Sequence, residues 1–81
     1  MFLKLFVKED CPKCPAAKEA VKGFEDKVEV YDIDQVEGLA EAAFYSIQCT
    51  PSILMVDDDG HELQAWRCEV PNPREINAAI N

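Results

Sequence analysis

The sequence predicts an α/β fold: a four-stranded mixed sheet with three helices on both of its faces. Three observations carry that prediction. Apolar runs at Phe2–Val7, Lys27–Ile33 and Ser52–Val56 read as strands, and each of the first two is followed by a segment whose apolar residues recur at helical spacing. The turn Asp57-Asp58-Asp59-Gly60 folds the third run back onto His61–Cys68 as a hairpin. Asn72-Pro73 then opens a last helix. The order is β-α-β-α-β-β-α, and 81 residues suffice for one domain, 1–81.

Each element has a local reason. Phe2–Val7 (FLKLFV) is interrupted only by Lys4, the pattern of a strand buried on both faces. From Pro12 to about Phe24 the chain reads as helix, with Ala17, Ala20, Val21 and Phe24 on its apolar face. Pro12 suits the first turn, where a missing N–H leaves nothing unsatisfied. Pro15, slightly deeper, removes one early helix bond, and Gly23 weakens the last turn. In Lys27–Ile33, Val28 and Val30 point to one face and Tyr31 and Ile33 to the other. Asp34 is the expected cap of a second helix, Val36–Ile47, whose apolar side is Val36, Leu39, Ala40, Ala43, Phe44 and Ile47. Gly38 lowers its propensity a little. Helices separating the first three strands favour parallel pairing, and the hairpin adds an antiparallel edge. The last helix runs from Pro73 to about Ile80, with Asn72 as cap and Ile76, Ala79 and Ile80 as its apolar side.

Composition narrows the function. Sixteen acidic and eight basic side chains leave a net charge of −8. Phosphate binding needs a basic surface, so nucleic acid is excluded as a partner, and anionic membrane surfaces with it. No apolar run approaches the ~20 residues of a membrane span. Met1–Val7 is too short for a signal sequence, so a cytoplasmic protein is expected, and nothing requires more than a monomer.

The chemistry-bearing stretch is Lys8-Glu9-Asp10-Cys11-Pro12-Lys13-Cys14-Pro15, between the first strand and the first helix. A thiol at a helix start is favoured as its reactive thiolate by unpaired N–H groups and the helix dipole. A second thiol one turn on can close a disulfide or complete a metal site. Three readings follow: a redox dithiol, a zinc- or iron–sulfur-binding or electron-carrier module using the same cysteines, and an adaptor that binds partners without turnover. His61 reads as exposed and inert, and Asp57–Asp59 as a polar turn, since the spacing is not that of an EF-hand loop.

The sequence resembles the thioredoxin/glutaredoxin superfamily over essentially its whole length. Cys11-Pro12-Lys13-Cys14 joins the first strand to the first helix, Thr50-Pro51 precedes the third strand, and Trp66-Arg67-Cys68-Glu69-Val70-Pro71 leads into the last helix as in short prokaryotic thioredoxins. The resemblance implies a thioredoxin-like fold and a thiol–disulfide oxidoreductase without a cofactor beyond its own Cys11–Cys14 disulfide and without a metal. Cys11 would attack and Cys14 resolve; Pro12, Lys13, Thr50 and Pro51, the last in cis, would meet the substrate. There are departures. Asp10 stands where thioredoxins place a tryptophan before the first cysteine, and Leu5 stands in place of their buried acid. Lys8, three residues before Cys11, is a glutaredoxin feature. However, Cys49-Thr50-Pro51 replaces the glutaredoxin Thr-Val-Pro, and Val70-Pro71-Asn72-Pro73 stands near where their Gly-Gly would fall. The expected partners are therefore disulfide-containing proteins as substrates and a thioredoxin-reductase-type electron donor rather than glutathione. Cys49 and Cys68 are expected near the cysteine pair, as small buried hydrophobes, a second disulfide or further metal ligands. Trp66 would be a substrate platform or part of the core.

Overall fold

The sheet is built around β1 (Phe2–Val7), whose residues from Leu3 to Val7 are all buried. The computed structural model describes residues 1–80. Beside β1 on one side runs β2 (Val28–Asp32), parallel, with Leu5 opposite Val30 and Val7 opposite Asp32. On the other side runs β3 (Ser52–Val56), antiparallel, with Phe6 opposite Ser52 and Phe2 opposite Val56. β4 (Glu62–Trp66) pairs antiparallel with β3, giving the order β2-β1-β3-β4. With α1 (Cys14–Ala20), α2 (Val36–Phe44) and α3 (Pro73–Ile80), the described residues form the four-stranded mixed sheet and three helices that the sequence predicts.

Alternation along β1 makes two cores. Leu3, Leu5 and Val7 face one side with Ile53 and Met55, and there meet Cys14, Ala17, Ala20 and Val21 and, from α3, Ile76. Phe6 faces the other side with Leu54 and Val56, under Ala42 of α2 and Ile47. Thus α1 and α3 cover one face and α2 the other. Trp66 is buried in the first core, which decides between its two expected roles.

Four expectations change. First, β1 and β3 are antiparallel. Residues 45–51 account for this. α2 carries the chain toward the hairpin, where the Tyr45 hydroxyl donates to the Gly60 carbonyl at 2.7 Å. The following segment brings it back past Ile47 before β3 begins, so β3 starts where β1 ends. Second, α2 ends at Phe44, with Ser46 in the left-handed region (φ 58), and its apolar stripe faces outward. Val36 is 85% exposed, Phe44 75% and Leu39 58%, and Ala40 and Ala43 are exposed too. The helix instead presents Gly38 and Ala42 to the sheet, because its backbone lies almost on that of β2. A Cβ on Gly38 would overlap the Asp32 carbonyl. Third, α1 is shorter than expected and starts at Cys14; Pro12 lies in the turn before it, and Pro15 is the proline that occupies the first helical turn. Fourth, Ala79 is exposed, and α3 buries Ile76.

The N-terminus of α3 follows the expected capping. Asn72 Oδ1 accepts from Arg74 N at 2.7 Å, and Glu75 Oε2 accepts from Asn72 N at 2.9 Å, a reciprocal capping box. In the hairpin, Asp57 Oδ1 accepts from the backbone N–H groups of Asp59 and His61, each at 2.9 Å, and Gly60 takes the left-handed conformation (φ 86). These bonds hold the Asp57 carboxyl below the usual carboxylate range.

Lys4 is the feature that the apolar run of β1 hides. It is buried on the α2 side of the sheet. Its Nζ donates to Glu41 at 2.8 Å and to the Tyr31 hydroxyl at 3.4 Å, and stands 5.1 Å from the Tyr31 ring centroid and 5.6 Å from that of Tyr45. Burial disfavours the ammonium, but these acceptors outweigh it and raise its pKa to about 12.

Candidate active site: two cysteine pairs at one end of the sheet

The register brings the predicted residues together. β1 ends at Val7, and Phe6 pairs with Ser52, the first residue of β3. Thr50 and Pro51 therefore lie at the end of the sheet from which the chain continues to Cys11. β4 runs toward the same end, with Trp66 opposite Ile53, and delivers Cys68 two residues later. β2 ends there as well, beside Val7, and delivers Asp34.

Cys11 and Cys14 form a disulfide, with Cα atoms 5.3 Å apart. The Cys14 N–H donates to the Cys11 carbonyl at 3.2 Å, closing the tight turn through Pro12 and Lys13. The two sulfurs are not equivalent. Cys14 is buried in the core beneath α1, whereas Cys11 is half-buried and opens onto a shallow concavity of about 340 Å³ with Glu9, Asp10 and Pro12. Pro12 and Lys13 are exposed. A larger concavity of about 370 Å³ lies between α1 and β2, lined by Leu5, Val21, Val28 and Val30, and contains none of these cysteines. The approach to Cys11 is held from the side: Glu9 N donates to Asp34 Oδ2 at 3.1 Å. Asp34 thus does not cap α2, which has Gln35 in that position and no side-chain cap bond.

Pro51 is buried, and the Thr50–Pro51 peptide is cis. The Thr50 hydroxyl is buried without a hydrogen-bond partner among the described residues. Cys49 and Cys68 form the second disulfide, so neither is a buried spectator: Cys49 is half-buried and Cys68 exposed. In this state all four sulfurs are bonded in two pairs. Asp57, Asp59 and His61 are the one group of three possible ligands among the described residues. Asp57 there already serves the turn's own backbone.

Sequence reasoning missed two residues. One is Asp34, assigned to a helix cap. The other is Ser52, whose hydroxyl donates to the Cys49 carbonyl at 2.9 Å and accepts from Cys68 N at 3.0 Å. The signal for Ser52 was present: a single hydroxyl heading the buried run Ser52–Val56 must find partners.

The fold agrees with that of known proteins. Thioredoxin 1 from Thermosipho africanus superposes with a TM-score of 0.73 at 20% identity, over 99% of this chain and 90% of that one. The C-terminal domain of Neisseria meningitidis DsbD, in its reduced form, gives 0.71 at 16% identity, over 98% and 77%. A thioredoxin from Thermus thermophilus gives 0.70 at 21% identity, over 95% and 68%. Comparison with curated proteins gives no match. The family model described as Glutaredoxin matches residues 3–54, a stretch that holds β1 from Leu3 on, the Cys11–Cys14 turn, α1, β2, α2 and Thr50-Pro51. The chain belongs to the glutaredoxin family, and it is a thiol–disulfide oxidoreductase on the thioredoxin fold.

Proposed function

We propose that the protein reduces disulfides in other proteins, with Cys11 as nucleophile and Cys14 as resolving thiol. The observation that carries this is the unequal exposure of the pair: Cys11 opens to solvent and Cys14 is buried against it. In the reduced protein the Cys11 thiolate attacks one sulfur of a substrate disulfide and expels the other as a thiolate, which takes a proton. Cys14 then loses its proton and attacks Cys11 Sγ, closing the internal disulfide and releasing the second substrate thiol. Only the more accessible sulfur can reach a large substrate, and the buried one beside it is placed to resolve the mixed disulfide. Thr50 and Pro51 supply the facing backbone, where an extended substrate segment can pair, and Pro12 and Lys13 form the exposed rim.

The electron donor in this reading is a thioredoxin-reductase-type enzyme and not glutathione. Where glutaredoxins carry Thr-Val-Pro, this chain has Cys49-Thr50-Pro51, and Cys49 is tied to Cys68. Val70-Pro71-Asn72-Pro73 stands in place of Gly-Gly, with Asn72 and Pro73 committed to starting α3. No further cofactor enters the cycle. We place the protein in the cytoplasm, as a monomer, where such a donor regenerates the dithiol.

Insulin reduction tests the mechanism. Cys11→Ser should lose activity to background, and Cys14→Ser should accumulate a mixed disulfide through Cys11. A Cys11→Ser protein working at the wild-type rate would falsify the assignment. For the donor, NADPH consumption should be faster with thioredoxin reductase than with glutathione and glutathione reductase; the reverse ranking removes that part of the reading.

A further inference from the structure

The second cysteine pair has no part in the exchange just described. Its two residues stand 19 apart in sequence, one before β3 and one after β4. Ser52 joins them. It is fully buried, and its hydroxyl spends its one donor on the Cys49 carbonyl and an acceptor on the Cys68 N–H. Both bonds go to backbone, and neither involves a sulfur. The Cα atoms are 5.4 Å apart, within the roughly 4.4–6.8 Å that a disulfide spans. The Ser52 tie is available to keep the two thiols near bonding distance when the disulfide is open. Cys68 adopts the left-handed region (φ 64), which few residues other than glycine occupy, and its side chain stands in an exposed turn. One sulfur of the pair is thus open to an incoming thiolate, and access is what such exchange requires.

We propose that Cys49–Cys68 is a second thiol–disulfide centre, which exchanges with an external dithiol at Cys68, so that one chain carries two separate two-electron couples. In the reducing direction a thiolate of the external dithiol attacks Cys68 Sγ. The Cys49–Cys68 bond breaks, and Cys49 leaves as a thiolate and takes a proton. The second thiol of the reductant, losing its proton, attacks its own sulfur of the mixed disulfide and releases Cys68, which is protonated in turn. Two electrons and two protons have passed, and the reductant is left as a disulfide. The reverse sequence reoxidises the pair. Each cycle opens and closes a covalent tie between the residue preceding Thr50 and the end of β4, while Ser52 keeps the hydrogen-bonded tie. The centre stands whether or not Cys11 has the role proposed above.

The test is a redox titration of the full chain in mixtures of reduced and oxidised dithiothreitol. Free thiols are trapped by alkylation and assigned by peptide mapping, in the wild type and in a Cys11→Ser/Cys14→Ser variant. The expected result is that Cys49 and Cys68 become alkylated together, reversibly, as one two-electron couple in both proteins. Ser52→Ala should shift that couple toward thiols by about threefold or more, the loss of the hydrogen bonds that hold the pair together. The proposal is overturned if Cys49 and Cys68 remain alkylatable in the most oxidising mixtures. It is equally overturned if their disulfide is reduced only after the protein is unfolded in urea. An unchanged couple in folded Ser52→Ala removes Ser52 from the assignment.

Discussion

Lys4 shows how one side chain can hold a helix to a sheet. Its ammonium lies between β1, the Tyr31 ring of β2 and the Glu41 carboxylate of α2. Such a pair is strained by desolvation on both sides, so the two ways of breaking it are unequal. Lys4→Met removes the buried charge and leaves Glu41, whose side chain is 29% exposed, free to hydrate. It should change stability by less than about 1 kcal/mol. Glu41→Ala leaves the ammonium, with its side chain 11% exposed, short of its best acceptor, and should cost about 1–3 kcal/mol. Urea denaturation of both variants reads the asymmetry; equal losses would contradict it. The pH dependence has a definite sign. The folded pKa is raised from 10.5 to about 12, so the stabilisation is complete below the unfolded value and is lost as pH rises through the folded one. The alkaline decline of stability in that window should be steeper in the wild type than in Lys4→Met.

At the scale of elements, α2 explains what helical periodicity could and could not show. Its existence was legible from the recurrence of apolar residues, but the face it buries was not. Val36, Leu39 and Phe44 outweigh Gly38 and Ala42 on any hydrophobic count, yet close approach to β2 demands the smallest side chains at the contact. Gly38→Ala is the decisive variant. Alanine favours an isolated helix by about 1 kcal/mol. Here its methyl would meet the Asp32 carbonyl, so a net loss of about 1–3 kcal/mol is expected from overpacking. A stabilised Gly38→Ala protein in thermal melts would refute the close packing. The cysteine turn, the hairpin and the α3 cap were legible because each rests on local chemistry: a Cys-x-x-Cys, a glycine turn, an Asn-Pro start. The direction of β3, the Asp34–Glu9 bond and the Ser52 bridge were not, because each joins residues distant in sequence.

For the molecule as a whole, the strand order sets where stability lies. β1 and β3 are paired on both sides, while β2 and β4 are edges; Val30 of β2 is 57% exposed. Native-state hydrogen exchange should therefore be slowest in Leu3–Val7 and Ile53–Val56, and an edge strand exchanging slowest would argue against this order. The same order gathers the cysteines at one end of these central strands, so the cysteine-bearing turns hang from the part of the fold that opens least often. The hairpin tip at Asp57–Gly60 has the opposite character. Apart from the Tyr45 hydroxyl on Gly60 and the N-terminal ammonium on Asp58, it closes on its own backbone, holds none of the cysteines and projects from the end of the sheet at which β3 finishes. A partner docked at the cysteine end leaves that tip facing away. It is therefore the natural handle of the molecule, where a reporter or tether can be carried without standing between the thiols and whatever comes to meet them.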